Sequence, residues 1–195
     1  MNEYQFKRVD FEKPSPLFVL EDMLKALIGC PLLYSPYYGT FKLKGHEKVL
    51  DFGCGGGAGS RCLAQLLNRN GHLTCIDVSN HWINKARKRL KKYANVKCIA
   101  GDIRELDMPA DSFDVISIFH VIHDIAPVDR QDTVTRLSLL LKRDGTAFVR
   151  EPTRKSHGMP VGEIRNLFSN AGMKEIQHLE SKSEYKGSFK VAHDT

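Results

Sequence analysis

Compact apolar runs and amphipathic stretches alternate along most of the chain. The runs at 48–52, 72–77, 96–100, 113–119 and 146–150 predict strands. The run at 113–119 is nearly all apolar, as a strand buried on both faces is. Between them, apolar residues recur at three- and four-residue steps and predict helices. These are Leu63, Leu66 and Leu67 in 58–70, Ile83, Ala86, Leu90 and Tyr93 in 80–93, Val134, Leu137 and Leu141 in 129–141, and Ile164, Leu167 and Phe168 in 161–171. Gly71 and Gly172 stand where a glycine closes a helix, and a Lys-Arg-Asp-Gly turn ends at Gly145. This alternation implies an α/β fold with a parallel sheet and helices on its faces. Two further strands are expected near 173–180 and 186–193, with only a short polar link, so they should be antiparallel neighbours.

Ahead of this core, Leu17, Leu20, Leu24 and Leu27 predict a helix over 15–28, with Gly29 after it. The segment 31–39 holds Pro31, Pro36, Tyr34, Tyr37 and Tyr38 and reads as extended and aromatic rather than helical. We expect a single domain over 1–195. Residues 1–46 form an N-terminal helix and possible lid segment, and 47–195 form the core. The chain has 195 residues, which suits one sizeable core.

Charge and cysteines narrow the setting. The net charge of +6 equals the six cations of one acid-free run, Lys85, Arg87, Lys88, Arg89, Lys91 and Lys92, so the rest of the chain sums to zero. That run faces away from an apolar stripe and reads as a solvated helix face, which does not favour a nucleic-acid partner. The five cysteines are odd in number and form no Cys-x-x-Cys pair, so neither a disulfide framework nor a thiolate zinc site is expected. No apolar run reaches the roughly 18 residues of a membrane span. The N-terminus has no secretory pattern, and a cytoplasmic location is expected.

The candidate chemistry lies in Val49-Leu50-Asp51-Phe52-Gly53-Cys54-Gly55-Gly56-Gly57-Ala58-Gly59, where a strand runs through glycines into a helix. Glycine lets backbone turn sharply and approach a ligand, and the helix start offers free N–H groups. Gly53-x-Gly55-x-x-Ala58 fits the dinucleotide fingerprint, with Asp77 at a distance that suits a ribose. Asp51 argues against a pyrophosphate there, because a carboxylate so close repels phosphate and attracts a cation. Asp102 adds a third carboxylate after the third strand. Three carboxylates at the carboxyl ends of strands 1, 2 and 3 suit a ligand with a cationic amino-acid head, a ribose and a purine amino group, and no phosphate.

With these motifs in register, the chain resembles class I S-adenosylmethionine-dependent methyltransferases. Val49 to Gly57 resembles their first motif, Ile76-Asp77-Val78-Ser79 the second, and Gly101 to Leu106 with Pro109 and Ser112 to Ile116 the third and fourth. Leu141 to Val149 resembles the late turn and fifth strand. The resemblance implies a Rossmann-like, doubly wound, seven-stranded sheet in the order 3-2-1-4-5-7-6, with strand 7 antiparallel and helices on both faces. It also implies S-adenosyl-L-methionine as the methyl donor and S-adenosyl-L-homocysteine as product. Gly53 and Gly55 would let backbone approach the methionine part. Asp51 would order that loop near the amino group, Asp77 would accept from the ribose hydroxyls, and Asp102 would accept from the adenine amino group beside Ile103. Cys54, Val78 and Phe119 complete the expected donor-binding set.

The acceptor should meet the loop after strand 4, Phe119-His120-Val121-Ile122-His123-Asp124. This loop resembles the histidine turn of small-molecule methyltransferases of quinone and lipid biosynthesis. His123 and the additional His120 are the candidate catalytic bases, set against a packing or capping role for His123. No metal is expected, since the ends of strands 4 and 5 show Phe119-His120 and Glu151-Pro152 in place of a cage of acids. A small-molecule acceptor leads. An RNA or protein methyltransferase and a catalytically silent donor-binding module are the rivals. Only Thr153 to Pro160 separates strand 5 from the next helix, which leaves little room for a substrate cap.

Overall fold

The structure, a computed structural model, describes Tyr4 and residues 10–192. It contains two compact units, Asp10–Asp102 and the chain from Ile103 onward. Tyr4 is tied to the latter by a hydrogen bond from its hydroxyl to the Thr153 carbonyl, 3.0 Å.

The first unit contains α1 (Pro16–Gly29), α2 (Ser35–Tyr38), β1 (Lys48–Phe52), α3 (Ala58–Leu66), β2 (His72–Asp77), α4 (Asn80–Leu90) and β3 (Val96–Ala100). The strands are parallel with β2 in the middle, where Cys75 pairs with Asp51 on one side and Cys98 on the other. Val49, Leu50, Leu63, Ile76 and Ile83 are fully buried and make its core. Ser15 caps α1 by accepting from the Phe18 amide, and Ser79 caps α4 by accepting from the Trp82 amide.

The second unit contains β4 (Phe113–Phe119), α5 (Pro127–Leu140), β5 (Leu141–Arg154), the two-residue β6 (His157–Gly158), α6 (Val161–Asn170), β7 (Met173–Glu180) and β8 (Glu184–Val191). β4 and β5 are parallel, and β8 is antiparallel to both β5 and β7. The strand order is β3-β2-β1-β4-β5-β8-β7, with β6 paired to β5. With β6 set aside, this is the expected order with its antiparallel strand.

Several local expectations are corrected. The aromatic segment is helical, as a π turn at Cys30–Tyr34, then α2, then a 3-10 turn at Gly39–Phe41. Pro36 sits in the first turn of α2, where its missing N–H costs nothing. The rings of Tyr37, Tyr38 and Phe41 lie 5.1–5.6 Å apart and are buried, so packing overrides the proline signal. Gly71 does not cap α3, which ends at Leu66; a Cβ on Gly71 would stand 2.4 Å from the Gly45 carbonyl oxygen, so close approach of backbone requires the glycine. β5 starts at Leu141, and the expected turn before it is absorbed as a register shift against β4. The leucines of α1 keep the helical period but are exposed, Leu17 at 75% and Leu27 at 74%. The sulfurs of Cys30 and Cys62 are bonded, joining the turn after α1 to α3, although the odd cysteine count argued for thiols. Cys54, Cys75 and Cys98 are free. Among the described residues no helix is long and apolar enough to cross a membrane.

Candidate active site

Asp51, Gly53, Cys54, Gly55, Asp77, Val78 and Asp102 all lie in the first unit, at or just beyond the carboxyl ends of β1, β2 and β3. The turn after β1 is held from β2. The Gly53 and Cys54 amides donate to the Ile76 carbonyl at 2.8 and 3.0 Å, and Gly57 closes back on the Cys54 carbonyl at 3.0 Å. Gly55 and Gly57 have φ of +52° and +77°, a region that disfavours a side chain. No atom lies within 4 Å of a Cβ built on Gly55, so a ligand can approach its backbone there.

Asp77 has the central place. One carboxylate oxygen accepts from the Gly55 amide at 2.9 Å and the other from the Ser79 amide at 3.0 Å. Each oxygen retains a second lone pair for a ligand hydroxyl. Burial pushes Asp77 above the usual aspartate range, against the pull of those two amides. Asp51 is buried and accepts from the Ser60 hydroxyl at 2.6 Å. This bond ties Asp51 to α3, and Asp77 ties down the glycine turn. Val78 is exposed and Asp102 half-buried, while the Gly101 amide donates to the Asp77 carbonyl.

The basic helix is corrected in part. Arg87, Lys88, Lys91 and Lys92 are exposed, as a solvated face requires. Arg89 is not: it pairs with Asp22 of α1 at 3.0 Å and donates to the Gly56 carbonyl of the glycine turn. Lys85 stands 4.6 Å over the Trp82 ring and 3.8 Å from Asp22. Glu12 accepts from the Asn80 and His81 amides at the start of α4. The segment before β1 thus packs onto the glycine turn and α4.

In the second unit, Ile103 is buried and Phe119 ends β4. His120 follows with φ +57°, a strained value for a non-glycine residue, and its Nε2 lies 3.2 Å from Glu184. His123 is on a 3-10 turn, Ile122–Asp124, and is only 6% exposed. Its Nδ1 lies 2.6 Å from Oε2 of Glu151, a fully buried carboxylate on β5. The other oxygen of Glu151 accepts from the Val121 and Ile122 amides at 2.8 and 2.7 Å. Burial would push Glu151 up, yet the His123 hydrogen bond and the two amides hold it below the ordinary range. Burial lowers His123, and Glu151 outweighs that and raises it. The Arg130 guanidinium donates to the His123 carbonyl at 2.9 Å and fixes the turn.

His123 Nε2 faces His157 Nε2 at 3.2 Å and Asp124 at 3.5 Å. His123 is thus engaged at both nitrogens. Sequence reasoning missed His157 and the role of Glu151, because the apolar run that predicts this strand ends at Arg150 while β5 continues to Arg154. The available signal was the His157-Gly158 pair just beyond it. Among the described residues His123, Asp124 and His157 form a group able to hold a metal ion, a grouping that the expectation of no metal did not consider.

The fold and the glycine turn define the class: an α/β domain of the class I methyltransferase type. Residues 49–145 match the family described as methyltransferase domain. The demethylmenaquinone methyltransferase of Listeria welshimeri is 33% identical over 113 residues, 55% of this chain and 47% of that protein. The ubiquinone/menaquinone biosynthesis C-methyltransferase of Campylobacter jejuni is 26% identical over 150 residues, 73% of this chain and 60% of that protein. The chain spans about half the length of the first of these relatives. A SAM-dependent methyltransferase structure from Aquifex aeolicus superposes with a TM-score of 0.74 at 18% identity, covering 92% of this chain and all of that one, which establishes the shared fold.

Proposed function

We propose that the chain is an S-adenosylmethionine-dependent methyltransferase acting on a small molecule of the quinone type. The observation that carries the donor assignment is Asp77, whose two oxygens are oriented by the Gly55 and Ser79 amides at the end of β2, beside a glycine turn with open space at Gly55. A carboxylate held in this way is prepared to receive two ribose hydroxyls. Asp51, Gly53, Cys54, Val78, Asp102, Ile103 and Phe119 complete the proposed donor set. The names of the two bacterial relatives support the acceptor class.

When bound, the donor supplies an already activated methyl group. The residues of this chain bind and orient it, and orientation with exclusion of water accounts for most of the rate that such a transfer needs. Arg89 and Asp22 brace the glycine turn from outside. No proton-transfer step is assigned to His120, which pairs with Glu184, or to His123, whose two nitrogens are engaged.

Calorimetry with S-adenosylhomocysteine and NAD, followed by transfer of labelled methyl groups to demethylated quinones, tests the proposal. Binding of the adenosyl compound, weak binding of NAD, and labelled quinone are expected. Binding of NAD alone would overturn the donor assignment. Donor binding without label in any quinone would overturn the acceptor class.

A further inference from the structure

We propose that His123, His157 and Asp124 form a binding site for a divalent transition-metal ion of the zinc type, with Glu151 orienting His123 from behind. One ligand atom each from His123, His157 and Asp124 lies within 4.8 Å of the other two. Two contacts are closer: 3.2 Å between the imidazole nitrogens and 3.5 Å from His123 Nε2 to Asp124. A tetrahedral ion bound at about 2.0–2.1 Å sets its ligand atoms roughly 3.3 Å apart, so these spacings match the edges of one coordination polyhedron.

The surroundings agree. A metal-binding histidine usually gives its second ring N–H to a carboxylate, which fixes the tautomer and turns the lone pair towards the ion. His123 does this with Glu151 at 2.6 Å, and that carboxylate is itself held by two backbone amides. Arg130 fixes the His123 backbone through its carbonyl. His157 arrives by a tight hairpin in which Arg154 of β5 pairs with His157 of β6. The hairpin depends on Gly158: its φ is +151°, and a Cβ there would lie 2.3 Å from the Pro152 carbonyl oxygen. Backbone geometry on both sides thus delivers the two rings to one point.

The donor set selects the ion. Two imidazoles with one carboxylate favour zinc and its first-row neighbours over magnesium or calcium, which take oxygen ligands. Three protein ligands leave a coordination position open, as in catalytic rather than structural zinc centres. An oxygen or nitrogen ligand from solvent or from a small molecule can fill that position.

The test uses the full chain without an affinity tag, stripped of metal with a chelator. Zinc is titrated calorimetrically, and cobalt(II) is added separately as a spectroscopic probe. One zinc ion per chain and the visible absorption of four- or five-coordinate cobalt are expected. His157→Ala, at an exposed position, should weaken zinc binding by at least about tenfold, a scale that loss of even an outer-shell partner reaches. It should also abolish the cobalt spectrum, while S-adenosylhomocysteine binding and the thermal midpoint without metal stay unchanged. His178→Ala, on β7, should leave zinc binding intact. Equal zinc affinity in the wild type and His157→Ala, or a cobalt spectrum of six-coordinate solvent type, would overturn the site. Because donor binding is measured in the same samples, loss of the metal proposal and loss of the methyltransferase proposal are separate results.

Discussion

The Asp77 carboxylate takes the Gly55 amide hydrogen at 2.9 Å, so the end of β2 holds the turn that follows β1. Asp77→Ala therefore removes a ligand acceptor and orphans the Gly55 and Ser79 amides at once. Donor affinity should fall by about 2–4 kcal/mol, as loss of hydrogen bonds to a charged group does. Calorimetry with S-adenosylhomocysteine checks this, with circular dichroism to show that the variant is folded. Unchanged affinity in a folded variant would sink the assignment.

Arg89 and its neighbours on α4 should separate by role. Arg89→Gln loses the Asp22 pair and the bond to the Gly56 carbonyl, and should cost about 1–3 kcal/mol of stability together with donor affinity. Lys88→Gln with Lys92→Gln, on the exposed face, should stay within about 0.5 kcal/mol of the wild type. Denaturant melts of both variants read the difference. Equal effects would show that Arg89 does not brace the turn.

Glu184 makes stability sensitive to acid. Burial would raise its carboxyl, but His120, Arg150 and Lys186 outweigh burial and hold it at about 2. A depressed acid stabilises the folded chain above its ordinary value of 4.5, and that contribution disappears as pH falls from there towards 2. Glu184→Gln should be less stable than the wild type at neutral pH and should show a shallower loss across that window. Parallel unfolding curves at pH 3 and pH 6 would contradict it.

Gly158→Ala should open the hairpin that carries His157. The left-handed backbone and the close Pro152 carbonyl both resist a side chain, and strain of this kind costs on the order of 1–3 kcal/mol. A lowered thermal midpoint is the readout. Gly55→Ala is a useful contrast: its φ of +52° is also unfavourable, but the added methyl meets nothing within 4 Å. Its main loss should appear in donor binding.

The glycine turn and the acids at the strand ends were legible because their signals are local. Glycines with positive φ and acids at successive strand ends sit within a few residues of the backbone they control. The strand order was legible through the motifs in register, with the short polar link marking the antiparallel pair. The histidine cluster was not, because His157 reaches His123 only through a four-residue hairpin, and Glu151 shows its part only once β4 and β5 are neighbours. The tyrosine segment misled for the opposite reason. Its prolines favour an extended chain locally, and ring packing among Tyr37, Tyr38 and Phe41 decides otherwise. In α1 the leucine period marks the helix correctly, and the leucines themselves are exposed.

Among the described residues β7 pairs only with β8, and its other backbone row lies at the rim of the sheet. Lys174, Gln177, His178 and Glu180 are exposed along it, Arg165 grips Glu175 and Glu180, and the pairing shifts register between Glu175 and Gln177. A second molecule adding its own strand there would have to dehydrate those charges and follow the irregularity. These charges and the irregularity work against sheet growth from one molecule into the next at this rim, where Ile176 and Leu179 are also exposed.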